Sequence, residues 1–199
     1  LAILAKIGIS GGTGYCIEYG GNLIKSLNME QRMTICNMSI EAGARAGLIA
    51  PDENTFSYLK GRKFMPKGEY FKDKVKKWKK IKTDISARFA KSVEIDGNII
   101  SPLVTWGTDP ATGIKSNEKI PDPRNEENAV KRRSMEKALN YMNLKPNTKL
   151  EGFPIDYVFI GSCTNARLSD LRDAAKIIKG KKVNSKIHAW VVPGSRQVK

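Results

Sequence analysis

Tyr157-Val158-Phe159-Ile160-Gly161-Ser162-Cys163-Thr164-Asn165 is the stretch on which the fold turns. Four apolar residues stop at a glycine. A helical pattern then opens, with Leu168, Leu171, Ala175 and Ile178 at spacings of three and four and Gly180 as its terminator. A strand covered on both faces reads as such a continuous apolar run, whereas a period near 3.6 marks one face of a helix. Residues 187–192 form a further strand, closed by Pro193-Gly194. Strand, helix and strand in that order predict a right-handed βαβ unit with parallel strands, because a crossover returns the chain in its original direction. Ligands of α/β proteins bind beyond the carboxyl ends of such strands, which is where Cys163 and Asn165 fall. Backbone N–H groups at a strand-to-helix turn favour the thiolate, the form that binds metal or attacks carbon. The competing reading of the same cysteine is a small buried hydrophobe.

The composition is that of a globular chain: 199 residues, 40% hydrophobic, enough for one large domain or two small ones. No window is long and apolar enough to span a bilayer, and Leu1-Ala2-Ile3-Leu4-Ala5-Lys6 has neither a basic lead nor a cleavage site. The chain starts inside a helical pattern and stops where a new helix is due, so an internal fragment is expected. A net charge of +15 suggests nucleic acid, but 25 of the 35 basic residues are Lys and 10 are Arg. Phosphate-clamping surfaces favour the bidentate fork of Arg, so no nucleic-acid and no membrane partner is expected. The densest lysine run, residues 72–82, reads as a helix with Phe71, Val75, Trp78 and Ile85 on its packed face and a solvated lysine face. Cys16, Cys36 and Cys163 are odd in number and far apart, which argues against a disulfide framework and for a reducing, cytoplasmic setting. Cys16 and Cys36 are expected to pack in the interior, and His188, in its apolar strand, to be structural.

Upstream, residues 8–14 form a glycine-rich turn and residues 15–19 a strand. The Gly11-Gly12-Thr13-Gly14 run precedes its strand and lacks the spacing of a phosphate loop. Residues 30–46 predict a helix, on which Asn37 and Glu41, four apart, project from the same side. Without other information Glu41 is an ordinary helix carboxylate paired with Arg45. Pro51-Asp52 opens another helix that ends at Gly61. Residues 88–95 alternate and predict a strand, residues 101–124 a long loop, and residues 128–143 a helix. Turn-rich residues 146–154 mark a domain boundary. The expected architecture is α/β: pieces of two α/β domains, 1–150 and 151–199, with mixed and parallel sheets flanked by helices.

The motifs in order resemble the aconitase superfamily, in its isopropylmalate branch. They are Gly11-Gly12-Thr13-Gly14-Tyr15, then Met33-Thr34-Ile35-Cys36-Asn37-Met38-Ser39-Ile40-Glu41-Ala42-Gly43-Ala44, continued by Gly47-Leu48-Ile49-Ala50-Pro51-Asp52-Glu53. Val104-Thr105-Trp106-Gly107-Thr108, Ile120-Pro121-Asp122-Pro123 and Phe159-Ile160-Gly161-Ser162-Cys163-Thr164-Asn165 follow, leading into Asp170-Leu171-Arg172. The resemblance implies an aconitase-like fold and a hydro-lyase of leucine biosynthesis, isomerising 2-isopropylmalate and 3-isopropylmalate through dehydration and rehydration. It implies a [4Fe-4S] cluster on three cysteines, with one iron open to substrate, and a small subunit that completes a heterodimer. Cys163 matches one cluster ligand, and the other two are expected beyond residue 199. Glu41 matches a residue facing the iron-bound hydroxyl, Asn37 a hydrogen-bonding support, and Asn165 a residue that orients the cluster ligand without touching metal. One thiolate cannot hold a cluster that needs three, so the 199 residues alone are expected to be inactive. Two further readings stay open: a related hydro-lyase acting on homoaconitate or citrate, and a basic binding module without chemistry.

Overall fold

The computed structural model describes residues 1–162 and 164–199. Helix α1 (Ala2–Ile7) ends at Gly8, whose φ of 77° lies in the left-handed region that favours glycine. The chain then turns through residues 8–14 into strand β1 (Cys16–Glu18). A short helix α2 (Asn22–Ser26) precedes α3 (Met29–Asn37). Helix α3 starts with a capping box in which Asn28 Oδ1 accepts from the Gln31 backbone N–H at 2.9 Å and Gln31 Oε1 from that of Asn28 at 3.0 Å.

The helix predicted over 30–46 is cut short. After Asn37 the chain tightens into a 3-10 turn, Met38–Ala42, and Gly43 ends it at φ 77°. Residues 46–48 then form strand β2 (Ala46–Leu48), which pairs in parallel with β1, Ile17 opposite Gly47. Helical periodicity misses this strand because Ala, Gly and Leu carry no strong strand preference. The pairing is possible because Gly47 has no side chain: a methyl there would overlap Ser39 Oγ and lie 2.9 Å from the Cys36 carbonyl oxygen.

Asp52 caps α4 (Glu53–Leu59), its carboxylate accepting from the Asn54 and Thr55 backbone N–H groups. Helix α5 (Gly68–Trp78) packs on α4 through aromatic rings, Trp78 stacked on Phe56 with centroids 6.3 Å apart and edge-on to Phe71 at 6.0 Å. Phe71, Val75 and Trp78 share the packed face as expected. Ile85 does not: the helix ends before it and its side chain is fully exposed. The strand predicted over 88–95 is also absent. That segment is irregular, with Phe89 and Val93 exposed, because alternation makes a strand only where a partner completes the ladder.

The predicted long loop, 101–124, has more structure than its Pro, Gly and Asp content suggests. Strands β3 (Leu103–Thr105) and β4 (Gly113–Lys115) form an antiparallel hairpin, Val104 opposite Ile114. Trp106 and Ile120 are among the most buried side chains described, alongside Leu4, Ala42, Ala44, Phe56 and Leu139. Helix α6 (Ala129–Met142) is capped by Asn128 and ends at Asn143, with φ 52°.

Asp122, beside Ile120, caps the 3-10 turn Pro123–Asn125. Its Oδ2 accepts from Arg124 Nη2 at 2.7 Å and its Oδ1 from the Arg124 backbone N–H at 3.0 Å. The Arg124 guanidinium, first among the causes, holds this carboxyl down to about 2 from an ordinary 3.8. A lowered carboxyl stabilises the fold above the unfolded value and loses that contribution as pH falls through the folded one. Stability should therefore drop between pH 3.8 and about 2, and drop less steeply in Asp122→Asn. Urea midpoints followed by tryptophan fluorescence across that window test this, and equal slopes in the two proteins would refute it.

Strand β5 (Tyr157–Gly161), helix α7 (Leu168–Ile178) and strand β6 (His188–Val192) follow in the predicted order. β5 and β6 pair in parallel from Tyr157 opposite His188 to Gly161 opposite Val192. The expectation that β5 is covered on both faces does not hold within this unit. Tyr157 and Phe159 are 62% and 60% exposed, and β6 beside them is exposed at all five positions. The His188 ring stacks on Tyr157 at 5.2 Å. The architecture is mixed α/β, with short parallel and antiparallel sheets flanked by helices. It divides into two compact units, Leu1–Thr148 and Lys149–Lys199. Among the described residues, no helix is long and apolar enough to cross a membrane.

Candidate functional site

Asn37 is the last residue of α3, and Glu41 lies one turn further on, inside the 3-10 segment. The unbroken α-helix that would put both on one side is therefore absent. In a 3-10 turn, residues three apart eclipse, so Met38 rather than Asn37 lies in line with Glu41. Asn37 is exposed and Glu41 is half-buried. Glu41 Oε2 is out of contact with solvent and has no hydrogen-bond partner. Leaving a buried acceptor unpaired costs about 1–3 kcal/mol, so folds seldom leave one without a use for it. The expected ion pair with Arg45 would have satisfied a carboxylate on an α-helical face. The change of helix type removes that geometry.

Several side chains hold this turn in place. Ser39 is buried, and its hydroxyl lies 2.7 Å from Tyr19 Oη at the end of β1. It also donates to the Ile35 carbonyl oxygen at 3.2 Å. Burial, the largest cause, raises the Tyr19 phenol above its ordinary value, and burial likewise pushes the Cys36 thiol up. Cys36 is half-buried, short of the full interior packing expected. Cys16 departs from the packing expectation, because its strand leaves it exposed.

Arg32 is the largest omission of the sequence reading. It is 2% exposed, and its guanidinium forks onto Asp52, Nη1 to Oδ1 and Nη2 to Oδ2, both at 2.7 Å. Nε donates to the Leu27 carbonyl at 3.0 Å and Nη2 to that of Lys25 at 2.8 Å. The Arg32 hydrogen bonds, first among the causes, draw the Asp52 carboxyl below its ordinary value. This clamp ties α3 to the start of α4. No spacing rule links an arginine to an aspartate twenty positions away, so the sequence offered no signal for it.

In the second unit, the loop after β5 is built around small residues. A methyl at Gly161 would lie 2.7 Å from the Val192 carbonyl oxygen, so only glycine lets the end of β5 lie beside β6. Ser162 Oγ accepts from the backbone N–H groups of Thr164 at 3.1 Å and Asn165 at 3.4 Å. Ala166 is 1% exposed, and its carbonyl accepts from the Gly194 N–H at 2.9 Å, pinning the loop beneath the end of β6. Helix α7 starts at Arg167, whose N–H donates to Asp170 Oδ2 at 3.1 Å. Cys163, the cluster ligand expected from the sequence, lies outside the described residues. Asn165 is exposed on the loop that follows it. Among the described residues, no group of three or more His, Cys, Asp or Glu side chains could hold a metal ion.

The chain belongs to the aconitase family, whose model, described as aconitase family (aconitate hydratase), matches residues 1–199. Over all 199 residues it is 52% identical to a 3-isopropylmalate dehydratase large subunit from Solibacter usitatus (strain Ellin6076). The chain spans 43% of that protein's length.

Proposed function

We propose that the chain is part of a hydro-lyase large subunit that interconverts 2-isopropylmalate and 3-isopropylmalate by dehydration and rehydration. On this reading it acts in the cytoplasm, in leucine biosynthesis, with a small subunit as partner. The observation that carries the reading is Glu41 Oε2, buried and without a partner on its turn. The 52% identity to a protein of that name supports the choice of substrate.

On this reading a [4Fe-4S] cluster is the cofactor, and Glu41 Oε2 is the acceptor left for a hydroxyl or water held there. An acceptor sealed from water and unpaired needs a donor brought by the ligand, and a hydroxyl or water is such a donor. Cys163 would supply one of three thiolates, with Asn165 orienting that loop through hydrogen bonds. When bound, the cluster supplies a Lewis-acidic iron that makes the substrate hydroxyl a better leaving group. Glu41 would accept the hydroxyl's hydrogen bond in the direction that draws its proton toward the carboxylate. Asn37, at the exposed end of α3, would hold the substrate by its amide, which can both donate and accept. The burial of Glu41 Oε2 keeps bulk water from competing for it.

The test uses the full-length large subunit with its small subunit, reconstituted anaerobically with iron and sulfide. Formation of the unsaturated product is followed from 2-isopropylmalate and citrate, and loss of the double bond by hydration is followed from homoaconitate. The expected kcat/KM for 2-isopropylmalate exceeds the others by about 100-fold, the discrimination available from the shape of an apolar pocket. A preference for either of the others would overturn the assignment.

A further inference from the structure

The Gly11-Gly12-Thr13-Gly14 run precedes its strand and binds no phosphate by any recognisable spacing, yet the fold gives it a definite place. It lies directly against the turn that carries Glu41. The Gly12 N–H donates to the Ala42 carbonyl at 2.8 Å, one residue after Glu41. A methyl at Gly12 would lie 3.0 Å from Ala44 Cβ, 3.1 Å from the Ala42 carbonyl oxygen and 3.1 Å from Ile17 Cδ1. From the other side, a methyl at Gly43 would lie 2.6 Å from Thr13 Oγ1 and 3.3 Å from the Ile9 carbonyl oxygen. Ala42 and Ala44, which flank Gly43, are 1% and 4% exposed. The two turns therefore meet closely, through the Ala42 carbonyl and the short side chains of Thr13 and Ala44, with Ile17 Cδ1 closing the third side. Close-packed interiors transmit a displacement rather than dissipating it.

We infer that the glycine-rich turn is a positioning platform for Glu41, with Gly12 setting the distance between the carboxylate-bearing turn and β1. This rests on the proposed role of Glu41. Gly12 touches neither substrate nor cofactor; it acts through the Ala42–Ala44 backbone. Its glycine identity reflects close approach rather than backbone strain, since the left-handed φ values in this region belong to Gly8, Gly14 and Gly43. A one-methyl push of a few tenths of an ångström then reaches the reacting group, where a 1 Å misplacement costs about 100-fold in rate.

The experiment compares Gly12→Ala, Gly20→Ala and Glu41→Gln in the full-length two-subunit enzyme. Gly20 is the control, because a methyl there meets nothing within 4 Å. Gly12→Ala is expected to lower kcat about tenfold with the thermal midpoint and cluster absorption unchanged, while Gly20→Ala keeps wild-type kcat. Adding Ala44→Gly and Ile17→Val, which vacate two of the three contacts, should restore kcat to within about twofold of that double background. A second readout needs no activity. Hydrogen exchange of the cluster-free large subunit should quicken about tenfold at the residue 12, Gly43 and Ala44 amides, with α6 unaffected. If Gly12→Ala does not accumulate, Ala44→Ser adds one oxygen to the same interface from the opposite side and should lower kcat about threefold.

Wild-type kcat in Gly12→Ala beside an inactive Glu41→Gln would sink the platform and leave the role of Glu41 standing. An active Glu41→Gln would remove both. A loss in Gly12→Ala that follows the thermal midpoint and is not rescued would reduce Gly12 to a folding role.

Discussion

Glu41→Gln in the full two-subunit enzyme is expected to lower kcat by roughly 10²–10⁴-fold, the range for losing a positioned acid-base group. The replacement keeps the shape of the side chain and one carbonyl oxygen but cannot take a proton. Its structural cost is expected to be small, because Glu41 Oε2 makes no hydrogen bond for glutamine to lose. The thermal midpoint and the cluster's visible absorption should therefore match the parent while turnover collapses. A structural carboxylate would behave the other way, losing stability and keeping kcat per folded molecule. Activity of Glu41→Gln within threefold of the parent would remove Glu41 from the chemistry. The proposal would then rest on the loop after β5 alone.

Arg32→Met should cost about 3 kcal/mol of stability, by the reasoning for a buried ion pair that loses one member. Methionine fills the volume of the stem but offers no donor to the Lys25 and Leu27 carbonyls or to the Asp52 carboxylate. The value sits at the low end of the range for broken buried pairs because the Asp52 side chain is 37% exposed and water can take over its oxygens. Arg32→Lys keeps the charge but not the fork, and should recover about half of the loss. Asp52 adds a pH signature. Its lowered carboxyl contributes stability that is present above the unfolded value and lost as pH falls through the folded one. Arg32→Met should flatten that part of the acid limb. Urea titration followed by tryptophan fluorescence reads both effects, and a loss below about 0.5 kcal/mol would show that the clamp is dispensable.

Elements with strong local signals were legible in the sequence. Helices α4 and α6 announce themselves through the caps Asp52 and Asn128, α5 and α7 through a 3.6-residue apolar stripe, and β5 and β6 through apolar runs bounded by Gly and Pro. The parallel pairing of β5 with β6 follows from their order around α7. What failed had a common cause: a local pattern whose outcome depended on a distant partner. Residues 88–95 alternate, yet find no strand to pair with. Residues 46–48 lack strand character, yet pair with β1 because Gly47 lets them close on Ser39. The hairpin of β3 and β4 hides in a segment whose composition reads as loop, and Ile120 within it is completely buried.

The candidate site divides along the same line. Asn37, Glu41, Cys163 and Asn165 could be named from motif order, since residue identity at fixed spacing is a property of the chain. Their setting could not. A shift from α to 3-10 helix at Met38 took Glu41 off the face of Asn37 and away from a pairing with Arg45, leaving one oxygen sealed and unpartnered. The sequence by itself named the candidate site residues and placed helices α4, α5, α6 and α7, because both readings depend on neighbours within a few positions. Only the tertiary structure decided where the glycine-rich turn, Arg32 and Asp52 act, because each works through contacts twenty or more positions apart that close packing alone brings together.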